Sequence, residues 1–340
     1  MKIRDVFLLL IIIIGVSSCK NLTDSKTKIG FLIHSTSNKR WAADLKYLNE
    51  RAEELGATFI MKEAGGDENI QLKQAQEILD EDIDVLIVVA ANQNTAGGIV
   101  RAAHAKKVKV ISYDRMIKNA DLDYLISFEY EKIGELMVEY VANRVPHGNC
   151  IALWGDPNDA NAVFIKNGQQ RAFSSLSEDK KLNVVYKSYV HGWNQAIAEK
   201  AVNNVLDFSN ERIDAVISSN IPLGFAACNA LSSHGYKPNE VVVTAMDASI
   251  GFIHSMLDGG ITMTVTKPIK DLAYGAIDLA VDIAKGKNEE VFSKTVFNGR
   301  IDVPAKLFPP MVIDKSNFEK ELIEKGFFTR EEVFQNVAEN

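Results

Sequence analysis

Residues 85–115 read VLIVVAANQNTAGGIVRAAHAKKVKVISYDR. The opening run, 85–90, is continuously apolar, as a strand buried on both faces of a parallel sheet requires. The spacing then predicts a helix over 95–106 and a second apolar strand over 108–113, and that strand ends at Asp114 and Arg115. Strand, helix and strand in this order make a βαβ unit. Its repetition builds a doubly wound parallel sheet with right-handed crossovers.

The same grammar extends in both directions. Upstream, a strand is expected over 29–34. Trp41, Leu45, Leu48, Ala52 and Leu55 then recur at helical spacing, with Gly56 as a C-cap. A strand over 58–61 and a helix over 71–79 follow, and downstream a strand over 123–128 completes the series. The pattern then restarts. Helices are expected over 131–144, 161–175, 194–206, 222–234, 248–258 and 269–285, and strands over 149–154, 183–190, 214–219, 241–246 and 262–266. The fold class is therefore α/β with two parallel sheets. Residues 290–340 hold short strand-like runs and a helix around 318–324. No Pro-rich linker divides the series, so the two units are expected to be joined by short crossovers.

The N-terminus reads as an address. Lys2 and Arg4 precede an apolar run over 6–16, which is too short to span a bilayer and suits a signal peptide over 1–18. Val16-Ser17-Ser18-Cys19 resembles a lipobox, which makes Cys19 the lipidation site and 19–26 a polar tether to a membrane surface. The remaining 322 residues exceed one typical core and suggest two domains.

With 38 Lys and Arg against 45 Asp and Glu, the net charge of −7 argues against a nucleic-acid partner. Cys150 lies in a strand-like run and Cys228 in a helical one, and both are read as free thiols. There is no CxxC, zinc spacing, GxGxxG, P-loop, GxSxG elbow or HExxH, so no cofactor or metal is expected and enzyme classes are disfavoured. His34 and His191 fall at strand ends and are kept only as possible pocket-lining residues.

Polar and aromatic residues gather at strand ends, where open α/β sheets bind ligands. They are Arg40, Trp41, Asp114, Arg115, Asp159, Asn161, Trp193, Asn220, Asp247 and Lys267. Each carboxylate or amide can also be an ordinary cap or solvated loop residue. Together they suit a sugar: Asp and Asn accept from hydroxyls, Arg and Lys donate, and Trp stacks on a flat C–H face. Several Asp in one pocket would repel an acidic ligand.

At these residues the chain resembles the bacterial D-xylose-binding proteins of ABC transporters, which have the ribose-type, class I periplasmic-binding fold. The resemblance covers about 27–328. It is carried by YDRMI at 113–117, ISF at 126–128, EKIGEL at 131–136, TMTV at 262–265, KPI at 267–269 and DVP at 302–304. It implies that Arg40 donates and Trp41 stacks, and that Asp114 and Arg115 grip ring hydroxyls from the N-terminal lobe. It further implies that Asp159 and Asn161 contribute from the C-terminal lobe, that Trp193 is the second stacking aromatic, and that Asn220, Asp247 and Lys267 complete the contacts. Three departures stand out. Ile221 follows the strand-end Asn and is a poor cap, His191 replaces an acid before Gly-Trp, and His34-Ser35 open the first loop where an acid is usual.

The resemblance also implies two lobes that close about three crossovers. The N-terminal lobe would take 27–127 and 268–290, and the C-terminal lobe 128–267 and 291–340. The implied protein is a monomer that binds a monosaccharide, D-xylose or a related aldose, and delivers it to an ABC permease. The alternative is a receptor presenting bound sugar to a histidine kinase or chemoreceptor. A transcription regulator of the same fold would need an N-terminal helix-turn-helix, where this chain carries the signal-like run and Cys19.

Overall fold

The computed structural model describes residues 26–37, 39–287, 292 and 294–334. The expected signal peptide, the expected lipidation site Cys19 and nearly all of the expected tether lie outside them. The chain runs β1 (Lys28–Ile33), α1 (Lys39–Glu54), β2 (Thr58–Glu63), α2 (Glu68–Leu79), β3 (Val85–Val89), α3 (Gly97–Ala105), β4 (Lys109–Tyr113) and β5 (Tyr124–Phe128). It continues through α4 (Tyr130–Arg144), β6 (Asn149–Trp154), α5 (Ala160–Ser175), β7 (Asn183–Tyr189), α6 (Gln195–Phe208), β8 (Ala215–Ser218) and α7 (Ile221–Ser233). Then come β9 (Val242–Met246), α8 (Ile250–Leu257), β10 (Met263–Thr266), α9 (Ile269–Ala284), β11 (Lys294–Phe297), β12 (Asp302–Phe308), β13 (Met311–Asp314) and α10 (Arg330–Phe334).

The strands form two sheets, ordered β11-β12-β5-β4-β3-β1-β2 and β13-β10-β9-β8-β6-β7. Every pairing is parallel except β11–β12 and β10–β13. The continuous apolar run of β3 is buried at all five positions, as its central place demands. Both Cys150 and Cys228 are free, and burial pushes each thiol up to about 12.

Caps account for where the helices begin. Asp67 accepts from Asn69 N and Ile70 N, so α2 starts three residues before its apolar period does. Asn220 accepts from Leu223 N and is itself the cap of α7. Ile221 therefore does not cap. It is the first helical residue and is buried, which corrects the reading of Ile221 as the cap position. The expected helix near 318–324 is a π-helical segment over Glu319–Glu324.

The lobe boundary also needs correction. The sequence expectation places 291–340 in the second lobe. Instead β12 pairs in parallel with β5 of the first sheet, β11 folds back on β12, and only β13 joins the second sheet. The reason is physical. β11 is mostly exposed and only part of β12 is buried, so neither shows a continuous apolar run, and long-range pairing decides their sheet. Three strand-end steps therefore cross between the sheets: at Glu129, at Lys267-Pro268, and at 309–310, both prolines. The first and third are tied where Glu129 N donates to Phe308 O at 3.0 Å. One apolar cluster runs from the first sheet through α4 and α9 to the second.

A candidate ligand site between the two sheets

The order of each sheet reverses at its first strand: β1 lies between β2 and β3, and β6 between β7 and β8. The crevice beyond the carboxyl ends of such strands is the ligand position of open α/β sheets. Two aspartates at those ends are built by the same device. Asp114 follows β4 with φ +63°, and Asp247 follows β9 with φ +82°. Asp114 N donates to Ile126 O at 2.8 Å, and its carbonyl accepts from Ser127 Oγ at 2.8 Å. Asp247 N donates to Val265 O at 3.0 Å, and its carbonyl accepts from Thr264 Oγ1 at 2.6 Å. Each left-handed backbone is thus locked by the neighbouring strand. Such strain persists where the surroundings over-determine it, and it clusters at binding sites.

Around Asp114 the first lobe builds a buried ion network. Arg40 on α1 places Nη1 at 2.5 Å from Asp114 Oδ2 and Nε at 3.1 Å from Asp44 Oδ2. The Tyr130 hydroxyl donates to Asp114 Oδ1, and the Tyr113 hydroxyl donates to Asp44 Oδ1 at 2.5 Å. Burial alone would raise the Asp114 carboxyl. Arg40, Lys267 and the Tyr130 hydroxyl outweigh it and hold that carboxyl below the usual carboxylate range. For Asp44 burial prevails over Arg40, and its carboxyl sits above that range.

Trp41 is nearly buried. The Arg40 guanidinium carbon lies 4.2 Å from its ring centroid and that of Arg115 5.9 Å. His34 meets it edge-on with centroids 5.0 Å apart. Burial, then the Arg115 guanidinium, pushes the His34 imidazole down to about 4.

On the second lobe, Lys267 Nζ is 2.8 Å from Asp247 Oδ1 and 5.3 Å from the Tyr130 ring centroid. Because Lys267 and Tyr130 both act on Asp114, the two strand-end aspartates join one electrostatic unit across the crossovers. Asp159 caps α5, accepting from Asn161 N at 2.9 Å. Trp193 has φ +53° and lies against Gly155, where a Cβ would come within 2.1 Å of its ring. Any side chain at 155 would displace that indole.

The ten sequence-predicted residues are brought together unequally. Arg40, Trp41, Asp114 and Arg115 cluster, and Asp247 with Lys267 reaches them. Arg115, Asp159 and Trp193 line a cavity of about 570 Å³ that spans both lobes. Asp114 and Asn161 line a second, of about 580 Å³, beside the crossovers. Asn220 instead directs its amide oxygen to the α7 cap. His191 is exposed, with its neighbour Gly192 N bonded to Asp156 Oδ2 at 2.5 Å.

Sequence reasoning missed several members. Asp44 is legible in principle as an i,i+4 partner of Arg40. Tyr130 directly precedes the EKIGEL string. Gln93, whose Nε2 donates to Asn158 O across the cleft, carries no sequence signal. Among the described residues no group of His, Cys, Asp or Glu could hold a metal ion, and no helix is long and apolar enough to cross a membrane.

Comparison with known proteins agrees with this geometry. A family model described as periplasmic binding protein domain matches residues 29–288. The D-xylose-binding periplasmic protein of Haemophilus influenzae is 34% identical over 98% of this chain and 100% of its own length. That of Escherichia coli is 34% identical over 91% and 93%. The structure of an ABC transporter solute-binding protein from Clostridium phytofermentans with bound β-D-glucose aligns with TM-score 0.79 at 25% identity, covering 90% of this chain and all of that one. With two parallel sheets, three crossovers and a cleft between facing strand ends, the chain belongs to the periplasmic binding protein family.

Proposed function

We propose that this protein binds a monosaccharide, D-xylose, in the cleft and delivers it to an ABC permease from an extracytoplasmic position, anchored through a lipid on Cys19. The observation that carries the binding reading is the balanced cluster at the two strand ends. Arg40, Arg115 and Lys267 face Asp44, Asp114 and Asp247, with Trp41 and Trp193 nearby. Cations and carboxylates are matched, and Asp156 and Asp159 add negative charge, so the cleft favours a neutral ligand over an anion. Charged groups that still present donors and acceptors make strong bonds to hydroxyls. The curated relatives named for D-xylose support that sugar, and the glucose-bound relative supports the aldose class.

Asp44, Asp114 and Asp247 are each paired with a cation, so bound sugar should be recovered unchanged after incubation with stoichiometric protein. Titration calorimetry with xylose, ribose, arabinose, glucose and galactose tests the assignment. Xylose is expected to bind best, by roughly 10- to 100-fold over glucose, because the extra hydroxymethyl must be buried without a partner. Tighter binding of another sugar moves the assignment to that sugar, and no heat with any of the five ends the monosaccharide reading.

A further inference from the structure

His34 stands at the carboxyl end of β1, the strand at which the first sheet reverses. Its Nδ1 is buried and has no hydrogen-bond partner among the described residues. Buried polar atoms almost always find one, so an orphan beside the strand-end cluster marks a place where something else is meant to bond. The ring is packed edge-on against Trp41, at 5.0 Å between centroids and 83° between planes. Its backbone is fixed as well, since the His34 carbonyl accepts from Gly66 N at 2.6 Å. Trp41 in turn lies 4.2 Å from the Arg40 guanidinium carbon and 5.9 Å from that of Arg115, so the His34 ring borders the cluster of proposed sugar contacts.

We propose that His34 is a direct ligand residue, with its unpaired Nδ1 hydrogen-bonding the 2-, 3- or 4-hydroxyl of the bound monosaccharide. This rests on the monosaccharide reading and adds a contact to it. A neutral imidazole has one donor and one acceptor nitrogen, and a hydroxyl can serve either, so the match holds for both tautomers. Burial, then the Arg115 guanidinium, keeps the imidazole neutral, so it offers an anion no charge to pair with. The contact also belongs to specificity. A site built to bond one hydroxyl discriminates against the analogue lacking it, because the protein group is then left unpaired.

The test uses calorimetry with D-xylose and its 2-, 3- and 4-deoxy analogues on the wild-type protein, His34→Phe and His34→Gln. Phenylalanine keeps the aromatic contact with Trp41 and removes both nitrogens. Its melting temperature without sugar should equal or exceed the wild-type value, since an unpaired buried polar atom is lost. Xylose should bind His34→Phe about 10-fold more weakly, or worse, with partial recovery in His34→Gln. One deoxy analogue, missing the hydroxyl that meets His34, should bind wild type and His34→Phe alike, while the other two keep the gap. Xylose affinity of His34→Phe within twofold of wild type overturns the inference. So does an equal gap for all three analogues, which would mark a general change in packing. If His34→Phe does not fold, the same comparison is read from His34→Gln, where an unchanged pattern across the analogues overturns it. Wild-type protein that binds none of these sugars removes the monosaccharide reading, and this inference with it; wild-type binding with an unaffected variant removes this inference alone.

Discussion

At the scale of single residues, the cleft rests on one shared guanidinium. Arg40 holds both Asp44 and Asp114, and Asp114 also accepts from Tyr130. Asp114→Ala leaves Arg40 with one carboxylate and the Tyr130 hydroxyl with none. Breaking half of a buried pair costs about 3–5 kcal/mol, and sugar affinity should fall by roughly 100-fold or more. Trp193→Phe keeps an aromatic face and should cost less than about 10-fold. Parallel melting curves and calorimetry compare the two, and a larger loss for Trp193→Phe would contradict this ranking. The same residues set the pH response. The depressed Asp114 carboxyl contributes stability that is present above its ordinary value of 3.8 and is lost only as pH falls below it. His34 is neutral when folded and titrates near 6.5 when unfolded, so its contribution is present above 6.5 and is lost as pH falls toward about 4. Melting temperature should therefore decline between those values in the wild type, and less steeply in His34→Phe. The positions of Asp114 and Asp247 were legible because strand ends are legible. That Arg40 spans two carboxylates was not, since Asp114 lies 74 residues away.

Among elements, the tightest contact is between α4 and α5. A Cβ at Gly134 would lie 2.0 Å from Ile165 O, and one at Gly168 would lie 1.9 Å from Glu131 O, so the helix backbones touch through paired glycines. Gly168→Ala should force the helices apart and destabilise the fold by about 1–3 kcal/mol, as overpacking does. It should also weaken sugar binding, because α5 carries Asn161 in its first turn and is capped by Asp159. Thermal denaturation that matches wild type would show that the helices separate without cost. The helices themselves were readable from their 3.6-residue periods and caps. Two glycines in one contact were not readable, because each taken alone looks like a mild helix breaker.

For the molecule as a whole, among the described residues the lobes meet through the crossovers and at the mouth of the cleft, where Gln93 Nε2 reaches Asn158 O. The loop bearing Gln93 is gripped by the buried Gln71 side chain, which bonds Val89 O at 2.9 Å and Ala91 N at 2.8 Å. A ligand touching both lobes favours the closed arrangement, so sugar should reduce the radius of gyration in small-angle scattering. Gln93→Ala should speed sugar dissociation several-fold in stopped-flow measurements with little change in association, since it removes a contact that joins the lobes across the mouth of the cleft. Equal dissociation rates would show that the mouth contact does not hold the lobes. Cys19→Ala should release the protein from the membrane fraction, because the acyl anchor is lost; retention after a salt wash would contradict lipidation.

What the sequence determined by itself is what short-range physics encodes. Apolar runs such as 85–90, helical spacing from Trp41 to Leu55, and polar residues at strand ends follow from contacts a few residues apart. They sufficed for two parallel α/β sheets and for a cleft between them. Tertiary structure alone decided that β11 and β12 belong to the first sheet, that Arg40 neutralises Asp114, and that His34 is left with an unpaired nitrogen. Each depends on groups distant in the chain, such as Lys294 on Glu129 across 165 residues. Such pairings form only once the sheets close, and which polar atoms find partners is then settled by the shape of the closed core rather than by any local period.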